Sequence, residues 1–326
     1  MPLSPTPSGA CERLDEGGGC FRHETLFYSG DDEFLAGTVP FIEGALDACE
    51  PILVAVGEER IALIKDALGG AGEYVGFVEM HALGRNPARI IPEWQRFLET
   101  AAPDGAPVRG IGEPIWPGRS PAELVECERH ESLLNVAFDG GQGWSLLCPY
   151  DVERLDDEVL EGARRNHPLI AGACGSHASP SYVPAHAGPG PFDGDLPGPR
   201  GTVEQTQVVS AHGLAPMRAW LASWAADAQM SAADADQLVL AVNELASNSV
   251  CYGGGSGTVR AWREDGTIMC EVDDGGHIYE PLAGRMQPTA GQSDGRGLWL
   301  VNQLCDLVQI RSSREGTSVR VHMDVN

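Results

Sequence analysis

The sequence predicts two folded units, an α/β unit followed by an α+β unit, and three observations predict this fold class. Short apolar runs alternate with helical segments in the first half, which is typical of a mostly parallel sheet with helices on both faces. A tract dense in proline and glycine interrupts the chain at about residues 178–203. No helix can run through such a tract. The length of 326 residues also favours two domains.

These observations define four segments. We expect a disordered N-terminus over residues 1–18, a first domain over 19–178, a linker over 179–204 and a second domain over 205–326. The first segment is rich in proline, serine and glycine, and it lacks the basic start and apolar run of a signal peptide. No apolar run approaches the roughly 20 residues that span a bilayer. Nine scattered cysteines without a C-x-x-C pair indicate free thiols in a reducing compartment. The sequence therefore predicts a cytoplasmic protein with no membrane partner.

Strands and helices alternate through the first domain. Strands are predicted at residues 24–29, 51–56, 74–80, 108–111 and 144–148. Helices are predicted at residues 32–48, 59–68, 87–100, 121–138 and 152–164. Ligands of such sheets bind beyond the carboxyl ends of the strands. We expect that edge to be built by residues 28–30, 57–58, 113–116 and 148–151.

The second domain is predicted to pair helices with antiparallel strands. One helix covers Leu214–Asp227, and a second begins after the N-cap residue Ser231. Strands are predicted at residues 267–272, 307–312 and 317–323, and the last two form a hairpin.

Four short polar motifs follow one another in this domain, and the first lies on its second helix. Glu244 and Asn248 are four residues apart, so both point to the same side of the helix. Asn248 can offer its carbonyl oxygen to Mg²⁺, which prefers hard oxygen ligands. Glu244 can accept the proton of an attacking hydroxyl or water. The plain alternative is a solvated pair on an amphipathic helix.

The second motif ends a strand at Asp273 and Asp274 and continues into Gly275 and Gly276. An aspartate at a strand end can accept a hydrogen bond from the amino group of a purine, and the glycines let the backbone approach the ring closely. Asp274 is the candidate, and Asp273 competes with it for this role. An ordinary turn between strands would give the same residues.

The third motif suits phosphate binding, and the fourth lies at the start of a strand. Gly295 and Gly297 precede a helical segment that starts near Leu298, and the N-terminus of such a helix suits phosphate groups. Arg296 could add positive charge. The fourth motif places Thr317 at the start of the last strand.

The single lysine of the chain, Lys65, excludes two common nucleotide sites. No glycine-rich loop precedes it, so there is no P-loop. The strand lysine and the H-R-D loop of a eukaryotic-type protein kinase are also missing. Any nucleotide must therefore be held by other means.

Taken together, the four motifs resemble the Bergerat-fold (GHKL) ATPase domain shared by gyrase, MutL and histidine kinases, an α/β sandwich. They are most similar to the anti-sigma-factor serine kinases of the RsbW type. The resemblance covers residues 205–326 and implies ATP and Mg²⁺ as cofactors. The roles that it implies are a base, a Mg²⁺ ligand, an adenine site, a phosphate loop and a threonine near adenine. The base falls on Glu244 and the Mg²⁺ ligand on Asn248. The adenine site falls on Asp274 with Gly276, the phosphate loop on Gly295 to Leu298, and the threonine near adenine on Thr317.

The sequence departs from the family pattern at two positions, and two other functions stay open. Ile278 stands where the family has a second glycine, and Trp299 replaces a small residue. A non-catalytic adaptor that binds partners in an ATP-dependent way is one alternative to a kinase. A sensor histidine kinase is the other, but it requires a helical hairpin carrying the phosphoacceptor histidine. The proline- and glycine-rich tract before the second domain does not provide one.

The first domain resembles the MEDS sensory domain, a RecA-like fold without its phosphate loop. The matching residues lie at 21–24, 28–29, 112–119, 130–135 and 148–151. Candidate signal-binding residues are His23, Tyr28, Glu113 and His130, with Glu131 beside them. Ordinary structural roles at helix and strand ends would explain them equally well.

A MEDS-like domain followed by an RsbW-like ATPase resembles the RsbA-type anti-sigma regulators. That resemblance implies a sigma factor and an anti-sigma-factor antagonist protein as partners. The net charge of −25 argues against direct nucleic-acid binding and would suit a basic protein partner. The sequence leaves open whether the chain forms a homodimer.

Overall fold

The computed structural model describes residues 20–141, 143–172, 175–185, 194–208, 210–289 and 295–325. The segment predicted to be disordered, residues 1–18, lies outside the described residues. The described residues form two sheets with their helices, and this confirms the predicted fold class.

The first sheet is almost entirely parallel. Its strands are β1 (Arg22–Tyr28), β2 (Ile52–Val56), β3 (Gly76–Glu79), β4 (Val108–Gly112), β5 (Trp144–Asp151), β6 (Leu169–Ile170) and β7 (His177–Ala178). They are arranged in the order β3-β2-β4-β5-β1-β6-β7. Only β7 runs antiparallel to its neighbour, β6. The carboxyl ends of β1 and β5 are aligned, with Tyr28 opposite Asp151.

Helices cover both faces of this sheet. They are α1 (Gly30–Asp47), α2 (Glu58–Leu68), α3 (Met80–Leu83), α4 (Ile90–Ala101), α5 (Pro121–Ala137) and α6 (Asp157–Asn166). One core lies on the face of α1 and α2, around Phe34 and Ile64. The other core, around Trp94 and Tyr150, lies on the face of α4, α5 and α6. Burial of the strands on both faces explains why they read as continuous apolar runs in the sequence.

Three local features of the first domain differ from the prediction. The helix predicted at residues 152–164 begins only at Asp157. The Asp151 side chain accepts a hydrogen bond of 3.0 Å from the Glu153 amide. This contact forms a turn, and the helix begins after it. The helix predicted from residue 87 opens as a 3₁₀ turn over Pro87–Arg89. The strands β6 and β7 were not predicted, because two residues are too short to show a period.

The second sheet is antiparallel. Its strands are β8 (Glu204–Val208), β9 (Gly257–Glu264), β10 (Thr267–Asp274), β11 (Leu307–Ser313) and β12 (Gly316–Asp324), in the order β11-β12-β10-β9-β8. The helices α7 (Leu214–Asp227), α8 (Ala232–Cys251) and α9 (Arg296–Leu304) pack against one face and form a core with it. Ser231 caps α8 by accepting a hydrogen bond of 3.1 Å from the Asp234 amide. The strands β8 and β9 were not predicted.

No helix occurs between the two sheets among the described residues 179–185 and 194–203. The helix α7 is followed directly by α8, and both pack in the core of the second sheet. In the part of the chain that the structure describes, no helix is both long and apolar enough to cross a membrane.

The two halves contact each other through buried polar groups. Glu126 on α5 accepts hydrogen bonds from Arg285 (3.0 Å) and Arg311 (2.9 Å) of the second half. Arg89 donates to the backbone carbonyls of Asn302 and Cys305, each at 2.8 Å. These contacts fix α5 against Arg285 and β11, and the start of α4 against the end of α9.

Candidate functional site

A cavity of about 470 Å³ opens between α8, the end of β10 and the start of α9. Seven of the nine residues that the sequence assigns to the ATP site line it, namely Asn248, Asp274, Gly276, Gly295, Gly297, Leu298 and Thr317. The other two, Glu244 and Arg296, are not among the lining residues, and Arg296 is exposed. Residues of all four motifs therefore line the same cavity.

Glu244 and Asn248 both approach Gly297 at the start of α9. A Cβ atom placed on Gly297 would lie 3.2 Å from Glu244 Oε2 and 3.5 Å from Asn248 Nδ2. Only a residue without a side chain leaves this space open. The carboxylate and the amide therefore border the point where the glycine loop enters the helix.

Asp274 at the end of β10 is held by the end of α8. Its Oδ2 accepts a hydrogen bond of 2.6 Å from the Ser249 hydroxyl, and its Oδ1 accepts one of 2.8 Å from the Gly276 amide. A carboxylate has about four acceptor positions, so two remain for a ligand. A Cβ on Gly253 would lie 2.4 Å from Asp274 Cγ, which explains the glycine at that position.

Asp273 points to the opposite face of the sheet. Its carboxylate accepts hydrogen bonds from the Arg260 guanidinium and the Ser318 hydroxyl. Because side chains alternate along a strand, only one of the two aspartates can face the cavity. The residue in that position is Asp274.

Thr317 closes the far wall. Its hydroxyl donates a hydrogen bond of 2.9 Å to the Gly276 carbonyl and lies 2.6 Å from the Ser312 hydroxyl. Ser312 also accepts a hydrogen bond of 2.8 Å from the Ile278 amide. Thr317 thus ties the segment after Asp274 to the last hairpin.

The start of α9 has the backbone form that a glycine loop needs. Gly295 is the N-cap residue and adopts φ 83°, which favours glycine over any other residue. The preceding residue of the motif, Asp294, lies outside the described residues. The first amides of α9 have no partner within the helix, so they are available to an anion.

Sequence reasoning missed three residues that shape this site. They are Ser249, Gly253 and Ser312. Ser249 and Gly253 follow Asn248 within five residues. A search for polar and glycine residues directly after the helix motif would have found them.

The segment between β10 and α9 links the cavity to the first domain. Its early residues Ile278 and Glu280 line the cavity. A few residues later, Leu282 and Met286 pack against the core of the first domain. Arg285 between them forms the buried ion pair with Glu126, and burial lowers the pKa of Arg285 to about 10. We name residues 277–286 the docking segment, because it borders the cavity at one end and binds the first domain at the other.

The candidate sensory residues fall into two places in the first domain. Tyr28 and Glu113 meet at the carboxyl edge of the sheet, where the Tyr28 hydroxyl donates a hydrogen bond of 2.7 Å to Glu113. Arg60 lies 3.3 Å from the Tyr28 hydroxyl and 3.6 Å from Asp151. Burial raises the pKa of Glu113 to about 7, although the Tyr28 hydrogen bond and Arg60 act in the opposite direction.

His23 and His130 lie deeper, away from that edge. His23 Nε2 is 3.0 Å from Glu131 Oε2 in the buried interior. His130 is buried as well, and burial lowers its pKa to about 3. The structure therefore brings His23 together with Glu131, and Tyr28 together with Glu113.

Comparison with protein families gives two matches. Residues 22–168 match the family described as MEDS, the methanogen/methylotroph, DcmR sensory domain. Residues 210–323 match the family described as the histidine kinase-like ATPase domain. The chain therefore carries a MEDS domain followed by a histidine kinase-like ATPase domain, as the two resemblances in the sequence implied.

Among solved structures, the RsbU and RsbW domains of Rv1364c from Mycobacterium tuberculosis are similar to part of the chain. The sequence identity is 21%, the TM-score is 0.29, and the match covers 37% of this chain and 32% of that one. No curated protein matches the chain.

Proposed function

We propose that this chain is a regulatory protein kinase that binds Mg·ATP and phosphorylates a serine or threonine of an anti-sigma-factor antagonist protein. Through that reaction it controls a sigma factor by partner switching, under the influence of its MEDS domain. One observation carries the proposal: Glu244 and Asn248 converge on Gly297 beside a cavity that also contains Asp274. The match to the ATPase family supports nucleotide binding.

The residues around the cavity fit ATP. Asp274 keeps free acceptor capacity for the adenine amino group, and Gly276 beside it lines the cavity. The amides at the start of α9 suit the phosphates. Asn248 offers an oxygen to Mg²⁺, which neutralises phosphate charge when bound. The cavity volume of about 470 Å³ is in the range of small-molecule sites.

In the transfer step the partner's hydroxyl oxygen attacks the γ-phosphorus. A new O–P bond forms, and the bond from the γ-phosphorus to the β,γ-bridging oxygen breaks, so ADP leaves with that oxygen. Glu244 accepts the hydroxyl proton, and general bases of this kind contribute typically 10²–10⁴-fold to a rate. The chemistry is otherwise positioning and charge stabilisation.

Control by the MEDS domain would act through the docking segment. This segment lines the cavity through Ile278 and Glu280 and is anchored to the first domain through Leu282, Arg285 and Met286. A signal that changes how the first domain holds the segment would change the shape of the nucleotide site. Such coupling requires that the signal bind two states with different affinity.

One observation favours a second function, an ATP-dependent adaptor without catalysis. Glu244 is not among the described residues that line the cavity, whereas Asn248 is. If Glu244 stays outside the reaction, ATP would only set the affinity for partners.

Phosphate transfer to a purified antagonist protein distinguishes the two functions. The full chain is incubated with labelled ATP and antagonist proteins of its host, and the labelled residue is identified by mass spectrometry. Acid-stable label on a serine or threonine of the partner supports the kinase. ATP-dependent complex formation without label supports the adaptor, and acid-labile label on this chain itself would indicate a histidine kinase.

A further inference from the structure

Four side chains from four separate parts of the first domain meet in its interior. They are His23 on β1, Glu131 on α5, Cys148 on β5 and His167 just after α6. All four residues are buried, and one nitrogen, oxygen or sulfur atom of each lies within 4.8 Å of the others. We name these residues the buried tetrad. It is separate from the nucleotide cavity and from the Tyr28–Glu113 pair.

The hydrogen bonds of Asn135 fix the tautomer of His23. The Asn135 amide nitrogen donates to the carbonyls of Glu131 (3.3 Å) and Asn166 (2.8 Å), so its oxygen must face the other way. That oxygen lies 3.1 Å from His23 Nδ1, and it can only accept. His23 Nδ1 therefore carries a hydrogen, and in the neutral imidazole the Nε2 lone pair points into the tetrad.

A backbone carbonyl fixes His167 in the same way. His167 Nδ1 lies 2.8 Å from the Ala163 carbonyl oxygen, which can only accept, so Nδ1 carries the hydrogen. His167 Nε2 is buried and forms no hydrogen bond, although it lies 3.3 Å from Glu131 Oε2. An imidazole oriented through Nδ1 by a protein oxygen is the usual arrangement of a histidine that binds metal through Nε2.

The tetrad places two imidazole lone pairs close to a carboxylate, an arrangement that requires a proton or a metal ion between them. Two imidazole lone pairs face one carboxylate oxygen of Glu131, at 3.0 Å from His23 and 3.3 Å from His167. The Cys148 sulfur lies 3.5 Å from His23 Nε2 and 3.8 Å from the same Glu131 oxygen. The two lone pairs and the carboxylate repel each other at such distances in a dry interior unless a proton, such as that of the Cys148 thiol, or a metal ion lies among them.

The spacing fits a tetrahedral metal ion. Zinc binds nitrogen and oxygen at about 2.0–2.2 Å and sulfur at about 2.3 Å, so adjacent ligand atoms are roughly 3.3–3.7 Å apart. Four of the six separations among these atoms, 3.0, 3.3, 3.5 and 3.8 Å, surround that range, and the other two are within 4.8 Å. Small side-chain shifts would bring all four atoms to bonding distance.

We propose that the buried tetrad binds one divalent transition-metal ion, with Zn²⁺ as the best match. Two imidazoles, a thiolate and a carboxylate form the mixed nitrogen, sulfur and oxygen set that suits this ion. The charges also balance, because the thiolate of Cys148 and the carboxylate of Glu131 together neutralise a divalent cation. A neutral site is what a fully buried position requires.

A cavity lies beside the tetrad. A cavity of about 360 Å³ between α5 and α6 has Glu131, Tyr150 and Ala163 among its lining residues. The tetrad also joins elements that are distant in sequence, so a bound ion would fix α5 to the centre of the sheet. The same helix carries Glu126, which binds the docking segment.

The test uses the purified full chain and measures metal in two ways. Zinc is determined by mass spectrometry after gel filtration in buffer treated to remove free metal. Co²⁺ is then titrated into the zinc-free protein, and the thiolate-to-cobalt charge-transfer band is recorded. We expect about one zinc per chain and a charge-transfer band that saturates at about one Co²⁺ per chain.

Variants locate the metal. Cys148→Ser should remove the charge-transfer band, and His167→Gln should lower metal retention at least about tenfold. The matched control is Cys127→Ser, which changes another buried thiol of the same domain whose sulfur donates to the Pro114 carbonyl. This control should keep both the zinc and the band. Circular dichroism checks that each variant is folded.

Three results would overturn the proposal. The first is a folded wild-type chain that holds no zinc and develops no band with Co²⁺, which would leave the tetrad as a proton-sharing network. The second is a band that survives in Cys148→Ser. The third is a folded Cys127→Ser that loses both the zinc and the band, because the loss would then not be specific to the tetrad. The wild-type measurement decides the question even if a variant fails to fold.

Discussion

Glu126 of the MEDS domain and Arg285 of the ATPase domain form a buried ion pair of 3.0 Å, with side chains 1% and 5% exposed. Arg311 adds a second contact to the same carboxylate at 2.9 Å. The pair anchors the docking segment, whose other end lines the nucleotide cavity. A single carboxylate thereby connects the first domain to the wall of the candidate ATP site.

Replacing Glu126 with glutamine should weaken ATP binding. Arg285 and Arg311 would lose their shared counter-charge, and the docking segment would have to become ordered when ATP binds. Coupling of about 1–3 kcal/mol corresponds to an affinity lower by about 5–150-fold. Calorimetry with Mg·ATP on the full chain measures it.

The matched control for this change is Glu128→Gln. Glu128 lies on the same helix but pairs with Arg165 of its own domain at 2.9 Å. It should leave ATP affinity unchanged within about twofold. Equal affinities for both variants would show that the interface does not act on the nucleotide site.

Glu113 should make the stability of the first domain depend on pH. Burial raises its pKa to about 7 from an ordinary value of 4.5, so the folded state binds more protons than the unfolded state between these values. The stability that this group contributes is therefore present below about pH 4.5 and is lost as the pH rises through about 7. The full difference is on the order of 3 kcal/mol.

Glu113→Gln should remove this dependence while keeping an acceptor for the Tyr28 hydroxyl. Urea unfolding at pH 5 and at pH 8 should show the wild type losing about 2–3 kcal/mol more than the variant over that interval. The exposed Glu43→Gln should follow the wild type. Parallel behaviour of wild type and Glu113→Gln would mean that Glu113 titrates as an ordinary carboxyl group.

Glu244→Gln should abolish phosphate transfer and spare nucleotide binding. Loss of a general base lowers a rate by typically 10²–10⁴-fold. The exposed Asp236→Asn on the same helix is the control and should retain the wild-type rate. Single-turnover transfer to the antagonist protein is the measurement, and an unchanged rate in Glu244→Gln would exclude this carboxylate as the base.

Gly253→Ala should damage the site through packing alone. The added Cβ would lie 2.4 Å from Asp274 Cγ, so either the end of α8 or the aspartate must move. At Gly275 the added Cβ would meet only one backbone oxygen at 3.7 Å. We expect at least a tenfold loss of ATP affinity in Gly253→Ala, about 1.4 kcal/mol, and less than a twofold loss in Gly275→Ala. Similar affinities in both would contradict the close packing of Gly253 on Asp274.

The fold class could be predicted because the first sheet is buried on both faces. Its strands therefore appear as apolar runs, such as residues 51–56, and the glycine- and proline-rich tract marks the change of domain. The strands β6 and β8 could not be predicted in the same way. Two residues show no period in β6, and β8, with the sequence EQTQV, is polar because it lies at the edge of its sheet.

The sites were predictable to different degrees. Three residues of the cavity, Asn248, Asp274 and Thr317, lie in short motifs with fixed spacing, so they could be named as candidates from the sequence alone. The partnership of Ser249 with Asp274 depends on how α8 crosses β10, which spacing does not reveal. Only His23 and Glu131 of the buried tetrad could be named as candidates from the sequence. His167 and Cys148 lie far from His23 in sequence and come together through the order of the strands.

Binding of Mg·ATP to the full chain and to two aspartate variants tests the central claim most directly. The carboxylate of Asp274 faces the cavity, whereas that of Asp273 binds Arg260 and Ser318 on the other face. By calorimetry, the wild type should bind with a Mg²⁺-dependent signal, and Asp274→Asn should bind at least about tenfold more weakly, a difference of about 1.4 kcal/mol. Asp273→Asn should bind like the wild type. A wild-type chain that binds no ATP, or an Asp274→Asn variant that binds as tightly as the wild type, would contradict the assignment of this cavity as a nucleotide site.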